Sequence, residues 1–215
     1  MSGTDIIMAV RKAQVQAISM VLIAGIVLAL AGAAYFWGKP LIEKRSTITD
    51  VNTAKSFILD LDRQITEVSR NGGEKSLKIP AIPGASFKVD ELNNGVLFRF
   101  VSSQQLMEMG EGSTAIPVET YDDSPVGDYG DSPRRIYLTG EPVENNQFLL
   151  AVNMTYRQLN AENPPRGYII RLSDGGNLAG NSAPSRVIVK FEGYGYHTDS
   201  GGRDITETLV NVTLA

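Results

Sequence analysis

The chain has 215 residues and a formal net charge of −4, enough length for one well-buried domain plus an extension. That mild acidity offers no clustered basic face for nucleic acid, and the absence of cysteine excludes thiol catalysis, thiolate metal sites and disulfides. Apolar residues make up 42% of the chain but are unevenly spread, and the first concentration of them is the most informative feature.

From Ile18 to Trp37 the only conventional polar residue is Ser19. A helix of that length rises about 30 Å, the thickness of a bilayer hydrocarbon core. Arg11 and Lys12 lie before it, while Tyr35, Phe36, Trp37 and Lys39 mark its far end. This arrangement fits an N-in, C-out membrane segment. A buried helix of a soluble domain needs a comparably apolar surround, and no other region provides one. A secretory signal needs a shorter apolar region followed by a small-x-small cleavage site. Here the stretch is longer and is followed by Phe36-Trp37-Gly38-Lys39-Pro40. A candidate junction lies in front of it instead, at Arg11-Lys12-Ala13-Gln14, where a basic pair precedes a small residue.

Those residues, followed by Val15-Gln16-Ala17-Ile18-Ser19 and the apolar run, resemble the class III leader of archaeal type IV pilins. The resemblance covers about the first 45 residues. It implies cleavage between Ala13 and Gln14 by a membrane-embedded prepilin peptidase, with the hydrophobic segment retained on the mature protein. It also implies a homopolymer of identical subunits, raised from the membrane by a pilus assembly machinery, with no cofactor. Bacterial type IV pilins carry glutamate at the fifth mature position, which is Ile18 here, so the archaeal branch is favoured. The glycine-rich opening of archaellins is also missing, which favours a pilin over a motility-filament subunit.

After Pro40 the pattern becomes amphipathic. Ile48, Val51, Ala54, Ile58, Leu61, Ile65 and Val68 recur at gaps of three and four, predicting one apolar stripe along a helix. Lys55, Asp60, Asp62, Arg63 and Glu67 lie between them and are expected to face solvent. Arg70 and Asn71-Gly72-Gly73 supply the stop. Pro40 either kinks one continuous helix or begins its second half.

Beyond Gly73 the period changes to two. Ser86–Val89 and Val96–Val101 flank Asn93-Asn94-Gly95, a hairpin signal, because Asn-Gly tolerates the positive φ of a tight turn. Similar runs occur at Ile136–Thr139, Phe148–Tyr156, Tyr168–Leu172, Val187–Phe191 and Leu209–Leu214. About eight short strands joined by turn-rich links predict an antiparallel sandwich, jelly-roll or Ig-like. The fold class is thus α+β: a leader over 1–13, an apolar helix over 14–38, an amphipathic extension over 39–72, and a β-rich head over 73–215. The head is expected to fold as an almost purely β domain, either alone or with the Leu41–Arg70 helix needed to cover one sheet.

Chemistry-bearing motifs are sparse. His197 is the only histidine and reads as a loop or turn residue. No nucleophile elbow, phosphate loop or metalloprotease helix occurs. The segment Glu119–Asp131 holds Asp122, Asp123, Asp128 and Asp131, a loop composition compatible with a hard cation but without EF-hand spacing. Asn153-Met154-Thr155 and Asn211-Val212-Thr213 are N-glycosylation sequons, each asparagine on the polar side of its strand. Within the apolar helix, Ala24, Gly25, Ala29, Gly32, Ala33 and Ala34 recur at three- and four-residue spacing, a pattern that permits close helix–helix packing. The expectation is therefore a non-enzymatic filament subunit at the cell surface, inserted in the membrane before assembly, that serves surface adhesion and binds no nucleic acid. The competing expectation is a membrane-anchored extracellular binding protein that makes no filament.

Overall fold

In the computed structural model the described residues are 3–102, 116–118, 124, 126–143, 147–175 and 186–215, with the backbone alone described over 3–18. One α-helix, α1, runs from Gly3 to Asn71, and Pro40 lies inside it. Pro40 thus does not divide the segment into two helices, although it removes one backbone donor and its ring crowds the carbonyl one turn earlier. The stop falls where the glycines predict it. Gly72, at φ 72°, donates to the Val68 carbonyl at 2.9 Å, and Gly73 follows at φ 88°. These left-handed conformations carry no Cβ penalty for glycine.

The chain divides into two compact units, Met1–Ser46 and Thr47–Ala215, with the division inside α1. The second unit contains eleven strands among the described residues: β1 (Glu74–Lys78), β2 (Ser86–Asp90), β3 (Gly95–Ser102), β4 (Ile116–Pro117), β5 (Val126–Asp128), β6 (Arg134–Val143), β7 (Gln147–Tyr156), β8 (Gln158–Ala161), β9 (Arg166–Asp174), β10 (Arg186–Thr198) and β11 (Asp204–Leu214). They form a six-stranded sheet, β1-β10-β11-β9-β8-β5, and a five-stranded sheet, β2-β3-β7-β6-β4. The head is therefore a mostly antiparallel two-sheet domain, as the alternating runs predict. Two pairs are parallel, β11 with β9 and β5 with β8, a feature that alternation within a strand does not encode.

The hairpin at Asn93-Asn94-Gly95 is present, with Asp90 opposite Gly95 and a four-residue loop between them. Asn94 is the one non-glycine residue with positive φ among the described residues, at 51°. Its buried side chain donates to the carbonyls of Tyr156 (3.1 Å) and Ile170 (2.7 Å) and accepts from the Leu172 amide (2.8 Å), linking β7 of one sheet to β9 of the other. Gly95 is required for another reason: a Cβ there would collide with the Met154 carbonyl oxygen on β7.

The core is a single cluster fed by the helix and both sheets. Val51, Ala54, Phe57, Ile58, Leu61, Ile65 and Val68 from α1 are buried with Phe87, Phe98, Phe100, Leu150, Val152 and Met154 of one sheet and Val187, Val189, Val210 and Val212 of the other. The Phe57 ring lies 6.0 Å from Phe87 and 5.3 Å from Phe98. The predicted stripe is thus the buried face, with two amendments: Ile48 is exposed, and Phe57 joins the core. Thr47, at the start of the unit, is buried and shares a 3.0 Å hydrogen bond with Ser102.

Candidate functional site: the exposed apolar helix

Between Ser19 and Ile42 nearly every side chain of α1 is exposed, on all sides of the helix. Met20, Val21, Leu22, Ile23, Ile26, Val27, Leu28 and Leu30 all stand open, Leu28 at 73%. The stretch is long and apolar enough to cross a membrane, and none of its most apolar window is buried. Full burial of one such side chain is worth about 1.5–3 kcal/mol, so leaving them in water forfeits on the order of 10 kcal/mol. That is comparable to the whole stability of a domain. The segment thus has the length and composition of a membrane anchor or signal.

The small residues fall unevenly around it. Steps of four and three residues put Gly25, Ala29 and Gly32 on one face, within about 60° of each other. Ala33 lies beside that face, and Ala24 about 100° away from Gly25. A Cβ added at Gly25 or Gly32 would meet nothing within 4 Å. Packing among the described residues therefore does not require glycine at either position, although each weakens a helix by about 1 kcal/mol relative to alanine. Arg11, Lys12, Ala13 and Gln14, the expected cleavage junction, lie on the helical backbone of α1.

The head supplies a polar cluster that the sequence does not announce. Asp62, expected on the solvent face, is buried; its Oδ1 accepts from the Tyr156 hydroxyl at 2.8 Å, and its Oδ2 accepts from Arg134 Nη1. Burial, and secondarily the negative charge of Asp62, push the Tyr156 phenol well above its ordinary value of 10.0. Asp62 lies four residues after Ile58, at the margin of the stripe, whereas its partners arrive from β6 and β7. No local pattern signals that meeting. Beside it is a cleft of about 720 Å³ lined by Leu59, Arg63, Thr66, Arg70, Ser132 and Pro133, among others. Its charges are largely paired at home: Arg63 with Asp60 and Glu67 with Lys75, both at 2.9 Å. The cluster acts as a clasp between helix and sheet, with no nucleophile beside a base.

The remaining candidates, where described, are each held by local partners. His197 stands on β10 rather than in a loop, with Nδ1 3.6 Å from Glu207 Oε1. In the acidic segment, Glu119–Asp123 lie outside the described residues. Asp131 accepts from the Asp128 amide at 2.9 Å and lies 3.7 Å from Arg157, and among the described residues no group of three acidic, histidine or cysteine side chains is placed to hold a metal. Asn153 and Asn211 are half-buried mid-strand. Their amides donate to Thr139 Oγ1 at 3.1 Å and Ser173 Oγ at 3.2 Å, and Asn211 Oδ1 accepts from Thr213.

No protein-family model, curated protein or solved structure matches the chain.

Proposed function

We propose that this protein is a structural subunit of an extracellular filament of the type IV pilus kind, serving surface adhesion. The leader is removed between Ala13 and Gln14, the apolar helix waits in the membrane, and assembly then exchanges its lipid contacts for contacts with the same helix of identical subunits. Removing residues 1–13 takes away Arg11, Lys12 and Asp5, so the formal charge moves from −4 to −5 and the heads repel only mildly.

The observation that carries the reading is the pair Gly25 and Gly32, on one face of a helix exposed all round, with room for larger side chains that the sequence does not use. In hydrocarbon there is no hydrophobic drive between helices, so close backbone approach through small residues is what favours a bundle over lipid.

The test is Gly25→Leu together with Gly32→Leu, scored separately for membrane insertion and for filaments. Insertion is expected to be normal and filaments to be lost. Undiminished filaments would remove these glycines from the packing argument, and an unmutated protein that makes no filaments would favour the anchored binding protein. Intact mass of the protein from its native host checks the leader, since retention of Met1–Ala13 contradicts it.

A further inference from the structure

The membrane-inserted stage of that reading leaves one group of residues unexplained. Tyr35, Phe36 and Trp37 are all strongly exposed, Trp37 at 85%. Successive helix residues turn by about 100°, so the three rings span more than half the circumference at one depth. Tyrosine and tryptophan combine an apolar body with a polar edge, which suits them to the headgroup boundary. Immediately beyond come Lys39, Lys44 and Arg45, with Glu43 the only carboxylate between Gly38 and Ser46. Lys39 Nζ lies 3.8 Å from Glu43 Oε1, both groups partly exposed, and the segment holds three cations against one carboxylate.

The depths are compatible with lipid contact. At about 1.5 Å per residue, Lys39 lies roughly 3 Å past Trp37, and Lys44 and Arg45 roughly 10–12 Å past it. The headgroup layer is about 5–7 Å thick on each side. Helix side chains lean toward the N-terminus, which here points back into the bilayer, and long basic side chains readily reach a neighbouring interface. Three cations follow the span and two, Arg11 and Lys12, precede it, so basic charge is not confined to the N-terminal flank. A basic cluster on the flank that leads into the head gains from counter-charge there.

We propose that Lys39, Lys44 and Arg45, just beyond the ring of Tyr35, Phe36 and Trp37, form a collar for anionic lipid headgroups on the membrane face from which the head emerges. The collar fixes the depth of the helix before assembly. The proposal rests on the membrane-inserted stage of the filament reading and not on the filament itself.

Trp37 is the only tryptophan, which makes it a reporter at the site. The full chain is reconstituted in phosphatidylcholine vesicles containing equal fractions of either brominated phosphatidylcholine or brominated phosphatidylglycerol, and quenching of Trp37 is compared. An exchange preference for the anionic lipid on the order of fivefold is expected. It should fall toward unity in Lys39→Gln/Lys44→Gln/Arg45→Gln and in about 1 M salt, where the Debye length is about 3 Å. Equal quenching by the two lipids in the unmutated chain overturns the collar. A chain that neither floats with vesicles nor is quenched by either lipid overturns the membrane-inserted reading as well.

Discussion

Residues 19–46 and 47–71 are parts of one α-helix, yet their side chains meet opposite surroundings. In the first part leucines and isoleucines are exposed on every side; in the second, a stripe from Val51 to Val68 is buried in a two-sheet core. The lesson concerns arrangement more than amount of apolar surface. An all-round apolar helix has no face to turn toward water, so it calls for a solvent other than water. A striped helix resolves the same problem within its own domain. Continuity of the backbone therefore says little about where a folding unit ends; the change of pattern near Ser46 says more.

The strongest test of that comparison is truncation. A fragment starting at Thr47 keeps the buried stripe and is expected to be soluble and to melt cooperatively. A fragment starting at Gly73 loses seven core side chains and exposes the rings they cover, and is expected to lose cooperative unfolding altogether. Circular dichroism and thermal melts of the two fragments decide this. A well-folded Gly73 fragment would mean that the helix merely covers a sheet, which is the simpler arrangement the sequence suggests.

A single core position sharpens the contrast. Leu61 is fully buried, so Leu61→Ala is expected to destabilise the head by about 2–5 kcal/mol in denaturant unfolding. The clasp comes next. Asp62→Asn leaves Arg134 without its carboxylate; breaking a fully buried pair costs about 3–5 kcal/mol. Arg134 keeps 27% of its side-chain exposure, so a loss below that range is expected. Tyr156→Phe removes one hydrogen bond to a charged acceptor and is expected to cost about 1–3 kcal/mol. Its pH dependence has a definite sign. Because the folded phenol titrates above its unfolded value of 10.0, its contribution is complete below pH 10 and declines as pH rises beyond it. The stability difference between wild type and Tyr156→Phe should thus be flat through neutral pH and shrink above pH 10.

Much of this organisation is legible in the sequence because it is local. The apolar run, the three-and-four stripe, the Gly72-Gly73 stop and the Asn94-Gly95 hairpin each rest on residues adjacent or one turn apart. What the sequence hides depends on distant partners. Asp62 reads as solvent-facing because its neighbours on the helix are charged, and only the fold brings Arg134 and Tyr156 to it. The parallel pairing of β9 with β11 is hidden for the same reason, since alternation reports which face a residue takes but not which strand lies beside it. At the apolar helix, the glycine spacing is visible in the sequence. That no packing among the described residues requires those glycines is visible only in the structure.

The smallest expected effect is the one best placed to break the comparison. Leu28 is as apolar as Leu61 and lies on the same helix, but it is 73% exposed and outside the head's compact unit. If the two parts of α1 differ as their surroundings indicate, Leu28→Ala should leave the head's unfolding midpoint unchanged, within about 0.5 kcal/mol, the range of a surface substitution. On the proposed membrane-inserted reading its cost should appear instead in lipid, where leucine at the centre of a span contributes only about 0.3–0.6 kcal/mol to insertion. That loss is small against a run of neighbouring apolar side chains, so insertion should persist. Denaturant unfolding of the full chain in mild detergent, followed by the circular dichroism of the strands, measures the first quantity; flotation with vesicles measures the second. A drop in head stability approaching that of Leu61→Ala would show that the exposed half supports the head directly, and the division near Ser46 would no longer separate two differently stabilised parts of one helix.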